Sequence, residues 1–109
     1  MSSENLKIAT DQNFEKEVLK GARPAIVDFW ATWCAPCRAL APLIEEVATQ
    51  YAGRIDVYKM DVDSNQETPA RFGIRGIPTV ILFKGGQAVD QVVGAVPKAQ
   101  IEALLKKAL

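Results

Sequence analysis

The chain has 109 residues, enough for one domain with a single core, and 13 Lys+Arg against 13 Asp+Glu leave a formal net charge of zero. That balance argues against nucleic acid as a partner, whose binding draws on clustered positive charge. With no histidine and only two cysteines, Ser-His-Asp and Cys-His catalysis and any His-ligated metal or haem within one chain are excluded. Proton transfer must use carboxylate, lysine, tyrosine, thiol or water.

A brief strand around Leu6 to Ala9 precedes a short helix over Thr10 to Leu19, with Thr10 or Asp11 as its cap, Phe14 and Val18 at i and i+4, and Gly21 as its exit. Ala25 to Ala31 is apolar on both parities, as expected of a parallel strand covered on both faces. Leu40, Ile44, Val47 and Tyr51 form a helix stripe that Gly53 ends, and Pro42 inside it should kink the helix. Ile55 to Val62 is a second apolar strand, Thr68 to Phe72 makes one or two helical turns, and Thr79 to Phe83 is a third strand. Gly85-Gly86 joins that strand to Ala88 through Val93 in an antiparallel hairpin. Pro97, at a first helical position, opens a last helix with Ile101, Leu104, Leu105 and Ala108 on one face; Lys106 and Lys107 read as a solvated pair complementing its dipole. The order β-α-β-α-β-α-β-β-α predicts an α/β fold over residues 1–109: a central mixed sheet of about five strands flanked by about four helices.

No apolar run approaches the ~20 residues of a membrane span, and Met1-Ser2-Ser3-Glu4-Asn5 lacks the basic-then-apolar plan of a signal peptide. The expected address is the cytoplasm, with no membrane partner. There a cysteine pair is more often catalytic or metal-bound than structural.

Both cysteines fall in Trp33-Cys34-Ala35-Pro36-Cys37-Arg38, between the first apolar strand and the long helix. A disulfide across two intervening residues closes too short a loop to stabilise the chain much. A closed tetrahedral metal site needs four ligands, which leaves only a metal or cluster shared between two copies. Dithiol–disulfide exchange fits best, because a thiol at a helix N-terminus sees partial positive charge and unpaired N–H groups that favour thiolate. On that reading Cys34 is the acidic, exposed nucleophile and Cys37, one turn further in, the buried resolving partner. Pro36 sits in the first turn, where its missing N–H costs little.

Asp28 lies in the middle of the most apolar strand. An unpaired carboxylate buried there should have a raised pKa and could carry protons, unless a bulge or edge turns it to water. Lys59 shares parity with Ile55 and Val57, so its ammonium either approaches Asp28 or snorkels to the surface. Pro78, as an arbitrary X-Pro, should be trans. Asp61-Val62-Asp63-Ser64-Asn65 begins like a calcium loop, yet Gln66 stands where glycine is needed and Phe72 where the bidentate Glu should be. Trp30 and Trp33, with no basic surface beside them, read as packing residues rather than a stacking platform.

Over essentially its whole length the sequence resembles the thioredoxin family. Asp28 through Cys37 resembles the family's active-site segment, Pro42 its helix kink, and Gly76-Ile77-Pro78-Thr79 its cis-proline loop. Asp28, Lys59 and Gly94 fall where the family places a buried acid, its lysine neighbour and a substrate-groove glycine. The resemblance implies the thioredoxin fold and reduction of protein disulfides, with Pro78 cis, Asp28 buried and Lys59 near it. It also implies that an extended substrate pairs with the backbone around Ile77. Trp33, Ala35, Pro36, Gly76, Ile77, Pro78, Gly94 and Ala95 would then form a shallow apolar docking surface. Electrons would come from NADPH through a flavin-containing thioredoxin reductase, with no cofactor bound to this chain, which is expected to be a monomer. The departure is Ala35, where the family usually has glycine: it adds a methyl group at the docking face, removes easy access to positive φ and bears on redox poise. Arg38, where lysine is frequent, keeps the positive charge. The rival readings are the same fold run as a thiol oxidant or isomerase, and a non-catalytic binding subunit.

Overall fold

The computed structural model describes residues 4–109; most of the segment read for a signal peptide, Met1 to Ser3, lies outside them. Five strands, β1 (Leu6–Ile8), β2 (Ala25–Trp30), β3 (Asp56–Asp61), β4 (Thr79–Lys84) and β5 (Gln87–Val93), make one sheet in the order β1-β3-β2-β4-β5. β3 runs parallel to β1 and β2, whereas β4 is antiparallel to β2 and β5, so the sheet is mixed as the element order requires. Three α-helices, α1 (Ala35–Gln50), α2 (Glu67–Arg71) and α3 (Lys98–Lys106), join one π-helical segment, Phe14–Leu19. Among the described residues no helix is long and apolar enough to cross a membrane.

The period of two along β2 divides the core. Ile26 faces one side, where it packs with Leu40, Ile44 and Val47 of α1 and Ile101 and Leu105 of α3. Ala25, Val27 and Phe29 face the other, against Phe14, Val18, Tyr58, Met60 and Phe83. There Phe14, Phe72 and Phe83 meet edge-on with centroids 5.2–5.5 Å apart. Phe14 and Phe83 are fully buried, and each contributes roughly 1.5–3 kcal/mol of transfer free energy. Asp28 has the parity of Ile26 and so points toward α1.

Several local expectations are corrected. The first helical segment is wound wider than an α-helix, with Lys20 N–H donating to the Glu15 carbonyl five residues back. The residue at its N-cap is Asn13, whose side chain makes no capping bond; Thr10 caps the turn just before it, its Oγ1 accepting from Asn13 N–H at 3.1 Å, while Asp11 is engaged elsewhere. Gly21 does end it: a Cβ there would lie 2.6 Å from the Glu17 carbonyl oxygen. Helix α1 does carry Pro42 inside it, between Ala35 and Gln50, as the stripe implied. Pro97 is the N-cap of α3 in extended conformation, not its first helical residue. Lys107 is not simply solvated, since its ammonium pairs with Asp90 of β5.

Candidate active site

The site lies where β2 ends and α1 begins. Cys34 is the N-cap of α1, and its Sγ accepts from the Cys37 N–H at 3.2 Å. No acidic side chain occupies the first turn, so the helix end offers that sulfur an unopposed partial positive charge. Cys34 and Cys37 form a disulfide, with Cα atoms 5.2 Å apart, and pack with Ala31, Trp30, Val62 and Ile77. The Arg38 guanidinium donates to the Thr32 carbonyl at 2.8 Å, fastening the turn before the motif.

One expectation fails here. Cys34 is only 4 % exposed, against 2 % for Cys37, so the two sulfurs do not divide into exposed and buried. In the disulfide Cys34 Sγ is turned inward against its partner and lies 3.7 Å from the Ile77 carbonyl oxygen, which covers it from the side of the cis-proline loop.

Asp28 is 2 % exposed and its Oδ1 has no hydrogen-bond partner. Burial pushes its pKa up to about 7, with the Lys59 charge pulling the other way. Lys59 stands opposite Asp28 in the β2–β3 register, and its ammonium lies 4.2 Å from the centre of the Trp30 ring. Lys59 is half-buried, with its ammonium over the aromatic face rather than held out in solvent. A cavity of about 110 Å³ is lined by Asp28, Trp30, Cys37, Arg38, Ala41 and Lys59. It is roomy enough for water and brings the carboxyl and the inner cysteine to one space.

The Ile77–Pro78 peptide is cis, as the resemblance implied and against the bare X-Pro expectation. Pro78 is buried, so it offers no surface of its own; its carbonyl accepts from Gly94 N–H at 2.8 Å, which brings the β5 exit to the loop. Gly94 has φ +97°, a conformation L side chains rarely adopt. Ala35, Pro36, Gly76 and Ala95 are exposed around the disulfide. Trp33 is 66 % exposed, and its Nε1–H donates to Asp63 at 2.9 Å.

Trp33, Gly76 and Ile77 line a groove of about 360 Å³ together with Val62, Pro69, Ile74 and Arg75. Those last four were not anticipated. Val62 follows β3, and its N–H donates at 2.9 Å to the Trp30 carbonyl at the end of β2, which brings it beside the motif. Among the described residues no cluster of His, Cys, Asp or Glu could hold a metal ion.

Comparison with known proteins agrees with this geometry. The family model described as Thioredoxin matches residues 5–107. The chain is 52% identical to thioredoxin 1 of Nostoc sp. over 100 residues, covering 92% of this chain and 94% of that protein. It is 48% identical to thioredoxin of Pseudomonas aeruginosa over 103 residues, 94% of this chain and 95% of the relative, and 53% identical to thioredoxin 2 of Chlorobaculum tepidum over 93 residues, 85% of each. With the cysteine pair, the mixed sheet and near full-length matches in agreement, the chain belongs to the thioredoxin family and is a thioredoxin-type protein-disulfide reductase with a redox-active disulfide.

Proposed function

We propose that in the reduced protein the Cys34 thiolate attacks one sulfur of a substrate disulfide, forming a mixed disulfide and releasing the other substrate sulfur as a thiolate. Cys37 then gives its proton to the Asp28 carboxylate through water in their shared cavity. Its thiolate attacks Cys34 Sγ, the second substrate sulfur leaves as thiolate, and the protein is left with the Cys34–Cys37 disulfide. Two electrons have passed from the protein to the substrate. The observation that carries the reading is Asp28: buried, with an unpartnered oxygen, a pKa near 7, and a cavity in common with Cys37. Lys59 tunes that acid.

The substrate lies extended against the Ile77 backbone, over Trp33, Ala35, Pro36, Gly76, Ala95 and the backbone of Pro78 and Gly94. A groove with few fixed polar demands suits many unrelated disulfide proteins. We further infer that a thioredoxin reductase docks on the same surface and returns the protein to the dithiol with electrons from NADPH. The chain works as a single-domain cytoplasmic monomer, with neither nucleic acid nor membrane as partner. A Cys37→Ser variant tests the roles: incubated with a disulfide protein it should accumulate an adduct through Cys34. An adduct that forms instead with Cys34→Ser would reverse the assignment.

A further inference from the structure

Helix α2 contributes Pro69 to the groove, and its N-terminus lacks a cap of its own: the N-cap residue Gln66 makes no side-chain capping bond. The missing acceptor arrives from more than fifty residues upstream. The Asp11 carboxylate accepts from Glu67 N–H at 3.2 Å, Thr68 N–H at 2.9 Å and Thr68 Oγ1–H at 2.7 Å. Asp11 N–H in turn donates to Asn65 Oδ1 at 2.9 Å, and the Asn65 amide reaches the Asp61 carbonyl at 3.1 Å. Asn65 and Thr68 are both buried.

This chain of bonds touches each end of the groove wall. Asp61 closes β3 just before Val62, and its carboxylate accepts from Asp63 N–H at 2.9 Å while Asp63 holds the Trp33 indole. Thr68 precedes Pro69, whose carbonyl accepts from Ile74 N–H at 3.0 Å. Val62, Pro69, Ile74 and Trp33 are all groove residues.

We propose that Asp11 is a positioning residue for substrate docking: by capping α2 from outside it and anchoring Asn65, it fixes the spacing of the groove wall that meets an extended polypeptide. The inference rests on the reading of that groove as the docking surface. It assigns Asp11 no contact with substrate or with either sulfur. Burial works against its ionisation, but the hydrogen bonds from Thr68 and the Glu67 and Gln66 backbone hold its pKa below the usual value, so the clamp stays ionised at neutral pH.

The test compares two oxidised substrates of the full chain: a pair of peptides joined by one disulfide and long enough to span the groove, and hydroxyethyl disulfide, which reaches the sulfurs and little else. Asp11→Ala should raise KM for the peptide pair about five- to tenfold with kcat within about twofold, while the rate with hydroxyethyl disulfide changes by less than about twofold. The reduction potential of the cysteine pair should not move. Asp11→Asn, which keeps one acceptor oxygen, should recover part of the loss. An unchanged peptide KM, or equal slowing with both substrates, overturns the proposal. Loss of the peptide preference already in the unmutated protein overturns the docking reading as well, which separates the two failures. Should Asp11→Ala not fold, Thr68→Val removes one of the three bonds and must show the same split between substrates.

Discussion

Asp28 and Asp11 are two carboxylates of one small molecule, and their surroundings drive them in opposite directions. Asp28 sits in the sheet against a cavity it shares with Trp30, Cys37 and Ala41, with an oxygen that no donor meets, and burial lifts its pKa to about 7. Asp11 sits in a loop, and three donors converge on its carboxylate and lower its pKa. Removal from water raises a carboxyl's pKa in both places; the supply of N–H and O–H groups decides whether that penalty is left standing or overcome. A carboxyl left wanting a proton suits transfer, and one that never takes a proton suits attachment.

The sharpest way to break this contrast is the stability of Asp28→Asn. The folded pKa near 7 exceeds the ordinary 3.8, so the native state binds the proton more tightly across that window. Asp28 therefore contributes stability fully present below about pH 3.8 and lost as pH rises through about 7. Between about pH 4 and about pH 8 the variant should gain on the unmutated oxidised protein by roughly 3–4 kcal/mol in urea unfolding. A pH-independent difference would mean that Asp28 is not held protonated by burial.

Next in size is the rate. Release of a mixed disulfide by Cys37 should slow ~10²-fold in Asp28→Asn, with loss of the inflection near pH 7 in single-turnover kinetics. Retention of that inflection would assign it to a thiol instead.

The opposite side of the comparison is probed by Asp11→Ala, which should cost about 1–2 kcal/mol at neutral pH, the ordinary cost of losing a helix cap and its charged hydrogen bonds. Because the folded pKa is depressed, this contribution is present above the ordinary 3.8 and lost as pH falls through the Asp11 value. The two unfolding curves should therefore converge in strong acid. The smallest effect is expected of Lys59→Met: Lys59 acts on Asp28 as the lesser, downward influence, so its removal should shift the Asp28 inflection modestly upward. A downward move would show that Lys59 matters chiefly through packing on Trp30.

The sequence carried much of the scaffold because the strands that hold the site are buried on both faces and announce it: β2 needs apolar residues at both parities, and α1 shows its stripe on either side of Pro42. The cysteine pair was legible for a similar reason, since spacing and placement before a helix leave few uses for it. Less legible were features that depend on who meets whom across the chain. The burial of Cys34 depends on the Ile77 carbonyl, forty-three residues away in sequence. Val62, Pro69, Ile74 and Arg75 become a groove wall only once separate segments of the chain meet beside Trp33 and Ile77. Asp11 reads locally as a cap for the helix that follows it, and only tertiary contact shows that it caps a different one.

The ends of the sheet bear on a hazard that comes with this activity. A protein read as laying foreign extended chains along its backbone at Ile77 must avoid doing so elsewhere, above all with copies of itself. Its outer strands limit that risk: β1 is three residues long with Lys7 at its centre, and β5 carries Asp90 and is offset from β4 by a register shift at Leu82/Phe83. Short, charged and irregular edges are poor templates for growing fibres. On the proposed reading, pairing with unfamiliar polypeptide is thereby discouraged at the sheet edges and left to the place beside the two sulfurs.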